Sequence, residues 1–263
     1  MERLEDEKSK NPIQVADRIF QVLESLARGG PAGLMELSNT LGLHKSTVHR
    51  LLNSLIYMGY VRQDEETSHY ALTFKILELA DLMLNNMDVL TLVHPYLKKL
   101  KTLTGETVHF VQIEGAHAVY IAKEESHTNS IRMVSRVGSQ IPLYRSGVGK
   151  ALLAMMDDSQ VRRIWEASDI QAVTSHTIVS LDRLYQVLEE IRQRGYALDD
   201  EENEMGVRCI AAAVPDYRGR PVYAFSISAP ASRMTDERIP QLAEYVLQTR
   251  EELAAALGYR QPS

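Results

Sequence analysis

A basic segment without acidic residues lies in the first quarter of this 263-residue chain, whose net charge is −6. No Asp or Glu occurs from Leu37 to Gln63, whereas Lys45, Arg50 and Arg62 lie within that window. Phosphate oxygens attract such side chains, and Arg or Lys on a helix in the major groove can also reach base edges. Because the chain as a whole is acidic, contact with nucleic acid has to come from a local patch of this kind.

The candidate DNA contacts come from the start of a predicted third helix and from the segment after it. Their side chains are basic, imidazole or hydroxyl groups that can donate to phosphate oxygens or base edges. Ser46 and Thr47 are also predicted to cap the helix. The predicted set is His44, Lys45, Ser46, Thr47, His49, Arg50 and Arg62.

Two other interpretations of this segment stay open. A solvated basic helix without a DNA role would have the same charge pattern. His44 and His49 suggest a metal pair, but their spacing is off the i, i+4 face of a helix, and no third ligand is evident. We predict no metal site.

A second candidate site begins at the run Arg145-Ser146-Gly147-Val148-Gly149-Lys150. It is not a Walker phosphate loop, because Tyr144 stands where that pattern needs Gly and Ala151 where it needs Ser or Thr. Ser146 is predicted to cap a helix, whose glycines would expose backbone N–H groups that suit a carboxylate. A plain turn into a packed helix is the other interpretation.

Three further segments hold side chains that can bind or react. The four acids of 199–202 favour a solvated loop and lack the spacing of a calcium loop. Cys209 lies in the apolar run 209–214, which predicts a buried strand with an inert thiol; the alternative is the nucleophile of a small-molecule enzyme. Ser226 and Ser228 point to one side of a predicted strand, where they either hold a polar ligand or face water.

The elements around the basic segment predict a winged helix-turn-helix. Apolar residues recur at helical spacing in three short stretches, with glycines ending the first two, and a hairpin follows. We predict a disordered arm at 1–10, a DNA-binding domain at 11–73 and a linker helix at 74–93, which Pro95 interrupts.

Residues 94–263 mix strands and helices and predict an α+β domain. Hairpins are expected around Glu114-Gly115 and around 216–221, and helices are expected over 146–156, 181–194 and 236–257.

Composition excludes several classes of protein. The single cysteine rules out an internal disulfide and a cysteine-based zinc site, and it favours a reducing cytoplasm. Residues 1–10 lack the apolar core of a secretory signal. The most apolar long stretch, Ile76 to Val93, contains five Asp, Glu or Asn residues, so we predict no membrane span.

Several separated segments, in this order, resemble the IclR family of bacterial transcription regulators. The resemblance covers nearly the whole chain from Val15 and is closest to members that control sugar-acid catabolism, of the 2-keto-3-deoxygluconate type. The segments that carry it are 43–52, 142–151, 201–211 and Ser226-Ile227-Ser228.

This resemblance implies a GAF-like effector domain with an antiparallel sheet and flanking helices, no cofactor, and homodimers or tetramers. It also implies a small organic acid as effector. The family includes both repressors and activators. Our hypothesis is a DNA-binding repressor of a catabolic operon rather than an enzyme. Carried over by position, the effector-binding residues are Met133, Ile141, Gly147, Val148, Asp199, Val207, Cys209, Ser226 and Ser228.

Overall fold

The computed structural model describes residue 11 and residues 13–86, 88–125 and 135–260. The chain divides into two compact units, Met1–Met87 and Asp88–Ser263. The disordered arm predicted for residues 1–10 lies outside the described residues, as does Met133. Within the described part of the chain, no helix has the length and apolar character that crossing a bilayer requires.

The first unit is a winged helix-turn-helix followed by one more helix, as the sequence predicted. Its apolar core lies between three helices and a two-stranded antiparallel wing. The elements are α1 (Gln14–Gly29), α2 (Leu34–Leu41), α3 (Lys45–Tyr57), β1 (Val61–Gln63), β2 (Tyr70–Leu72) and α4 (Lys75–Asn86).

The turn between α2 and α3 starts the third helix earlier than expected. Gly42 adopts a left-handed conformation with φ 63°, which favours glycine, and the N–H groups of Thr47 and Val48 already bond to the carbonyl of His44. The N-cap is therefore His44, which makes no side-chain capping bond. The prediction that Ser46 and Thr47 cap this helix is wrong, because both lie in its first turn.

The single linker helix predicted at 74–93 is also wrong. The chain forms α4 and then α5 (Val89–Thr104), whose N-cap Asp88 accepts a hydrogen bond from the N–H of Leu90 at 3.0 Å. Pro95 lies inside α5 rather than interrupting a helix before it. The capping carboxylate, which satisfies the first N–H groups, decides the start of the helix.

The second unit contains a six-stranded antiparallel sheet with helices on both faces, which confirms the α+β prediction. After α5, this unit contains β3 (Thr107–Glu114), β4 (His117–Glu124), β5 (Gln140–Pro142), α6 (Gly147–Ala154), α7 (Asp158–Glu166), α8 (Leu181–Arg194), β6 (Ala197–Asp200), β7 (Val207–Pro215), β8 (Pro221–Pro230) and α9 (Ile239–Ala256). The strands lie in the order β5-β4-β3-β8-β7-β6.

Both expected hairpins are present, as β3-β4 and β7-β8. The acidic run is not the solvated loop that the sequence predicted. Asp199 lies buried in the short strand β6, paired with Cys209 on β7, and Glu202 is also buried. Glu202 is paired with the ammonium of Lys150, a partner that the order of the sequence did not reveal.

The two faces of the sheet differ in chemistry. Alternate residues of β3, β7 and β8, such as Phe110, Ile210 and Phe225, pack with α5 and α9 in one apolar core. Since side chains alternate along a strand, the intervening residues face α6 and α8. On that side the apolar core includes small residues such as Ala211 and Ala224, and buried polar residues lie on the same face of the strands.

Gly149 allows α6 to lie directly against the segment before it. A Cβ atom at position 149 would lie 2.2 Å from the carbonyl oxygen of Leu143 and 2.3 Å from its Cα. These are backbone atoms that cannot rotate away. A Cβ at Gly147 would meet its nearest atom, Ala211 Cβ, at an ordinary 3.4 Å.

Gly149→Ala is therefore expected to lower the free energy of unfolding of the second unit by about 3 kcal/mol, the upper part of the usual cost of overpacking. Gly147→Ala is the matched control and should cost under about 1 kcal/mol, because the site has room for the added methyl. Urea unfolding of the full chain, followed by the fluorescence of Trp165, measures both. Equal midpoints for the two variants would contradict the close approach at Gly149.

Candidate functional site

All of the predicted DNA contacts except Arg62 lie on α3 or at its N-cap. One face of this helix is buried through Val48, Leu52 and Leu55, which fix the helix against the rest of the first unit. The exposed members of the predicted set are His44, Lys45, Ser46, His49, Arg50 and Arg62, and Thr47 is half-buried.

Arg62 extends this basic surface onto the wing, because it lies on β1. Its Nη1 atom is 4.0 Å from Oδ2 of Asp64, and both side chains are exposed. A surface pair of this kind is weak, so phosphate can compete for Arg62. Within the described ranges, no three His, Cys, Asp or Glu side chains gather to hold a metal ion, and so His44 and His49 gain no third ligand there.

A cavity of about 370 Å³ in the second unit holds five of the predicted effector residues. The residues that line it come from both faces of a cleft between the sheet and the start of α6. Those that the sequence predicted are Ile141, Asp199, Val207, Cys209 and Ser228; the others are His109, Tyr120, Ser135, Ser139, Gln140, Pro142, Arg145, Asn203 and Glu204.

Strand register brings the polar residues of this cavity together. Asp199 pairs with Cys209 across β6 and β7, and Cys209 pairs with Ser228 across β7 and β8. His109 on β3 pairs with Ser226. Side chains directly opposite in neighbouring strands lie on the same face of a sheet, so these residues occupy two adjacent rows on the face towards α6.

Three of the predicted residues do not line the cavity. Gly147 packs against Asp199 and Ala211, and Val148 is buried in the core around α6. Ser226 is buried with its Oγ 3.3 Å from Oγ of Ser228. Met133 lies outside the described residues, so its assignment stays a prediction.

The N-terminus of α6 is built as the sequence predicted. Oγ of Ser146 accepts a hydrogen bond from the N–H of Gly149 at 3.1 Å and donates one to the carbonyl of Pro142 at 2.9 Å. These two bonds tie the helix start to β5, which forms one rim of the cavity.

His109 is a neutral hydrogen-bonding group in this cavity. Its Nε2 lies 2.7 Å from Oγ of Ser135, its Nδ1 lies 3.2 Å from Oγ of Ser228, and its ring meets the ring of Tyr120 edge-on at 5.0 Å. Burial, helped by the charge of Lys123, lowers the pKa of His109 to about 3. The alternation of β3 signals an inward side chain here, but the sequence did not show what that side chain would meet.

The acidic side of the cavity is supported by a buried ion pair. The ammonium of Lys150 on α6 contacts Oε1 of Glu202, and Lys150 is only 1% exposed. Oδ1 of Asp199 accepts hydrogen bonds from the N–H groups of Glu202 at 2.8 Å and Asn203 at 3.3 Å. Burial raises the pKa of Asp199 to about 6; Lys150 acts against this shift and the charge of Glu202 adds to it.

The chemistry of Cys209 does not suit a nucleophile. Burial raises the pKa of its thiol far above the ordinary value, and the neighbouring charge of Asp199 raises it further. A catalytic thiol needs the opposite shift, with a base that accepts its proton. His109 makes its hydrogen bonds to serines and has too low a pKa to act as that base near neutral pH.

Two known proteins are similar to this chain over nearly its full length. The HTH-type transcriptional regulator KdgR of Escherichia coli K12 is 36% identical over 252 residues, which cover 95% of each chain. The acetate operon repressor of Salmonella typhimurium LT2 is 35% identical over 248 residues, which cover 94% of this chain and 90% of the relative.

A solved structure shows the same architecture. The crystal structure of the repressor BlcR of Agobacterium tumefaciens matches with a TM-score of 0.76 at 27% identity, covering 95% of this chain and 99% of that one. The agreement extends over both units and supports the winged helix-turn-helix and the sheet domain.

Two family models match consecutive parts of the chain. The IclR helix-turn-helix domain matches residues 15–65, which contain α3 and its exposed basic face. The model of the C-terminal part of bacterial IclR transcriptional regulators matches residues 82–255, which contain the cavity. With relatives of more than 30% identity across both units, the chain belongs to the IclR family of DNA-binding transcriptional regulators.

Proposed function

We propose that this regulator represses a catabolic operon and that a small organic acid in the cavity releases it from its operator. The observation that carries the proposal is the exposed, acid-free face of α3 in a chain of net charge −6. A helix of this kind in the major groove positions Lys45, His49 and Arg50 against base edges and phosphates. Relatives named as repressors support the sign of regulation.

The cavity supports a small polar acid as the effector. Its volume of about 370 Å³ lies in the range of ligand pockets, near the lower end. Neutral donors and acceptors such as Ser139, Gln140 and Asn203 line it, and they match the hydroxyl groups of a sugar acid. Gly147 and Val148 take part by holding the start of α6 against the sheet, and Met133 is retained as an apolar wall.

We further propose that the protein acts in the cytoplasm as a homodimer, or as a tetramer of two such dimers. Helix-turn-helix proteins read two half-sites about one DNA turn apart, which requires two copies of α3. Phe74, Leu77, Leu79 and Leu82, in and just before α4, are exposed in the single chain and would be covered by a second copy. An effector that favours one spacing of the two copies would shift their population and the operator affinity.

Arg50→Ala is expected to weaken binding to the chain's own promoter region by about 1–3 kcal/mol, because it removes a contact to a base or phosphate. Arg162→Ala is the matched control, since Arg162 is exposed on α7 in the other unit. Fluorescence anisotropy with labelled promoter DNA at fixed salt measures both. An Arg50→Ala variant that binds as tightly as the control would remove Arg50 from the DNA contacts.

A saturating effector is expected to lower operator affinity at least about tenfold, the size of a typical allosteric coupling. The test is a gel-shift titration of the full chain with a panel of sugar acids and short organic acids, with binding of each acid measured in parallel by calorimetry. Acids that bind the chain but leave every operator complex unchanged would refute the coupling.

Carboxylate binding is expected to weaken as the pH rises through about 6. Below that pH Asp199 is mostly protonated and neutral, whereas above it the ionised Asp199 repels an anion in the same cavity. The affinity for the carboxylate should fall by about tenfold between pH 5 and pH 7, because the ionised Asp199 has to take up a proton when the anion binds. Asp199→Asn removes the titration and should give a flat profile; an equally steep profile in this variant would contradict the assignment.

A further inference from the structure

Arg145 is a half-buried cation whose guanidinium carbon lies 6.0 Å from the centre of the Tyr144 ring. Its Nε atom is buried without a hydrogen-bond partner, and no ion pair links its guanidinium to any residue in the described ranges. Two other part-buried arginines of this unit are paired with acids: Arg208 with Asp200 and Asp236, and Arg233 with Glu106. Buried polar groups in proteins nearly always have a hydrogen-bond partner, so a group without one is a candidate to bind a ligand.

The side chain lies where a ligand would supply that partner. Arg145 lines the cavity, and it immediately precedes Ser146, the N-cap of α6. The positive end of the helix dipole therefore lies beside the guanidinium. The charge of Lys150, further along α6, is already taken by Glu202 in the buried ion pair.

An anion that binds in this cavity needs a positive charge nearby, because the other charged side chains of the lining are acids. Among the described residues that line it, Asp199 and Glu204 are acids, His109 is neutral near pH 7, and Arg145 carries the only positive charge. Without Arg145, an incoming carboxylate would meet two acids and no cation. Arginine offers paired N–H donors that match both oxygens of a carboxylate.

We propose that Arg145 binds the carboxylate of the effector and is the residue that makes this cavity select an acid over its neutral counterpart. The assignment rests on the proposed function, namely that the cavity takes an organic acid. It places the carboxylate at the start of α6 and leaves the rest of the ligand to the neutral lining of the sheet side.

The test measures binding of matched pairs to the full chain by calorimetry. Each pair is a carboxylate and the analogue in which CH₂OH replaces it: D-gluconate with D-glucitol, lactate with propane-1,2-diol, and benzoate with benzyl alcohol. The wild-type chain should bind at least one acid more tightly than its neutral partner. Arg145→Met should weaken that acid about 10- to 100-fold, the usual contribution of hydrogen bonds to a charged group, and should remove the preference.

Two further variants keep the result interpretable. Arg145→Lys retains the charge without the paired donors and should recover part of the lost affinity. It also provides a second test of this position if Arg145→Met folds poorly. Arg218→Met removes an arginine from the turn between β7 and β8, outside the cavity, and should bind like the wild type.

The outcomes separate the two levels of the proposal. A loss of less than about threefold in Arg145→Met, or equal losses in Arg145→Met and Arg145→Lys, overturns the role of Arg145 and leaves an acid-binding cavity in place. Equal affinity of the wild type for acid and neutral partner in every pair also overturns it. If none of the acids binds the wild-type chain, the proposed effector class fails together with this inference.

Discussion

The contact of α6 with the sheet is the constraint on which the effector site depends. Gly149 lets the helix meet the backbone of Leu143, and the buried pair of Lys150 and Glu202 fastens the helix to the loop after β6. Burying two charges costs free energy that their attraction only partly returns, so such a pair specifies an arrangement more than it stabilises it. The polar cavity beside the helix start is lined by both Asp199 and Arg145.

The sheet meets two opposite requirements because its strands alternate. One face presents Phe110, Ile210 and Phe225 to α5 and α9 and forms a continuous apolar core. The other face presents Cys209 and Ser228 to the cavity. A single set of strands thus provides both the stability of the unit and its ligand-binding surface, and a shift of register by one residue would exchange the two.

Charge is distributed unevenly within the first unit of this chain, whose overall net charge is −6. The acid-free stretch from Leu37 to Gln63 places basic side chains on α3 and β1, while the apolar side of α3 anchors the helix. Attraction to DNA is therefore local and oriented, because the rest of the surface does not favour phosphate.

The sequence by itself determined the winged helix-turn-helix, the basic face of α3, the two hairpins of the second unit and the family, because these depend on local periodicity, turn residues and motif order. It failed where distant segments decide the outcome. Four acids in a row indicated a solvated loop, but Asp199 and Glu202 are buried, with Glu202 paired to Lys150 from another element. Arg145 and His109 became site residues only through strand register and the docking of α6. Tertiary structure decided the chemistry of the cavity, since the protonation and pairing of a buried group depend on neighbours that are remote in the chain.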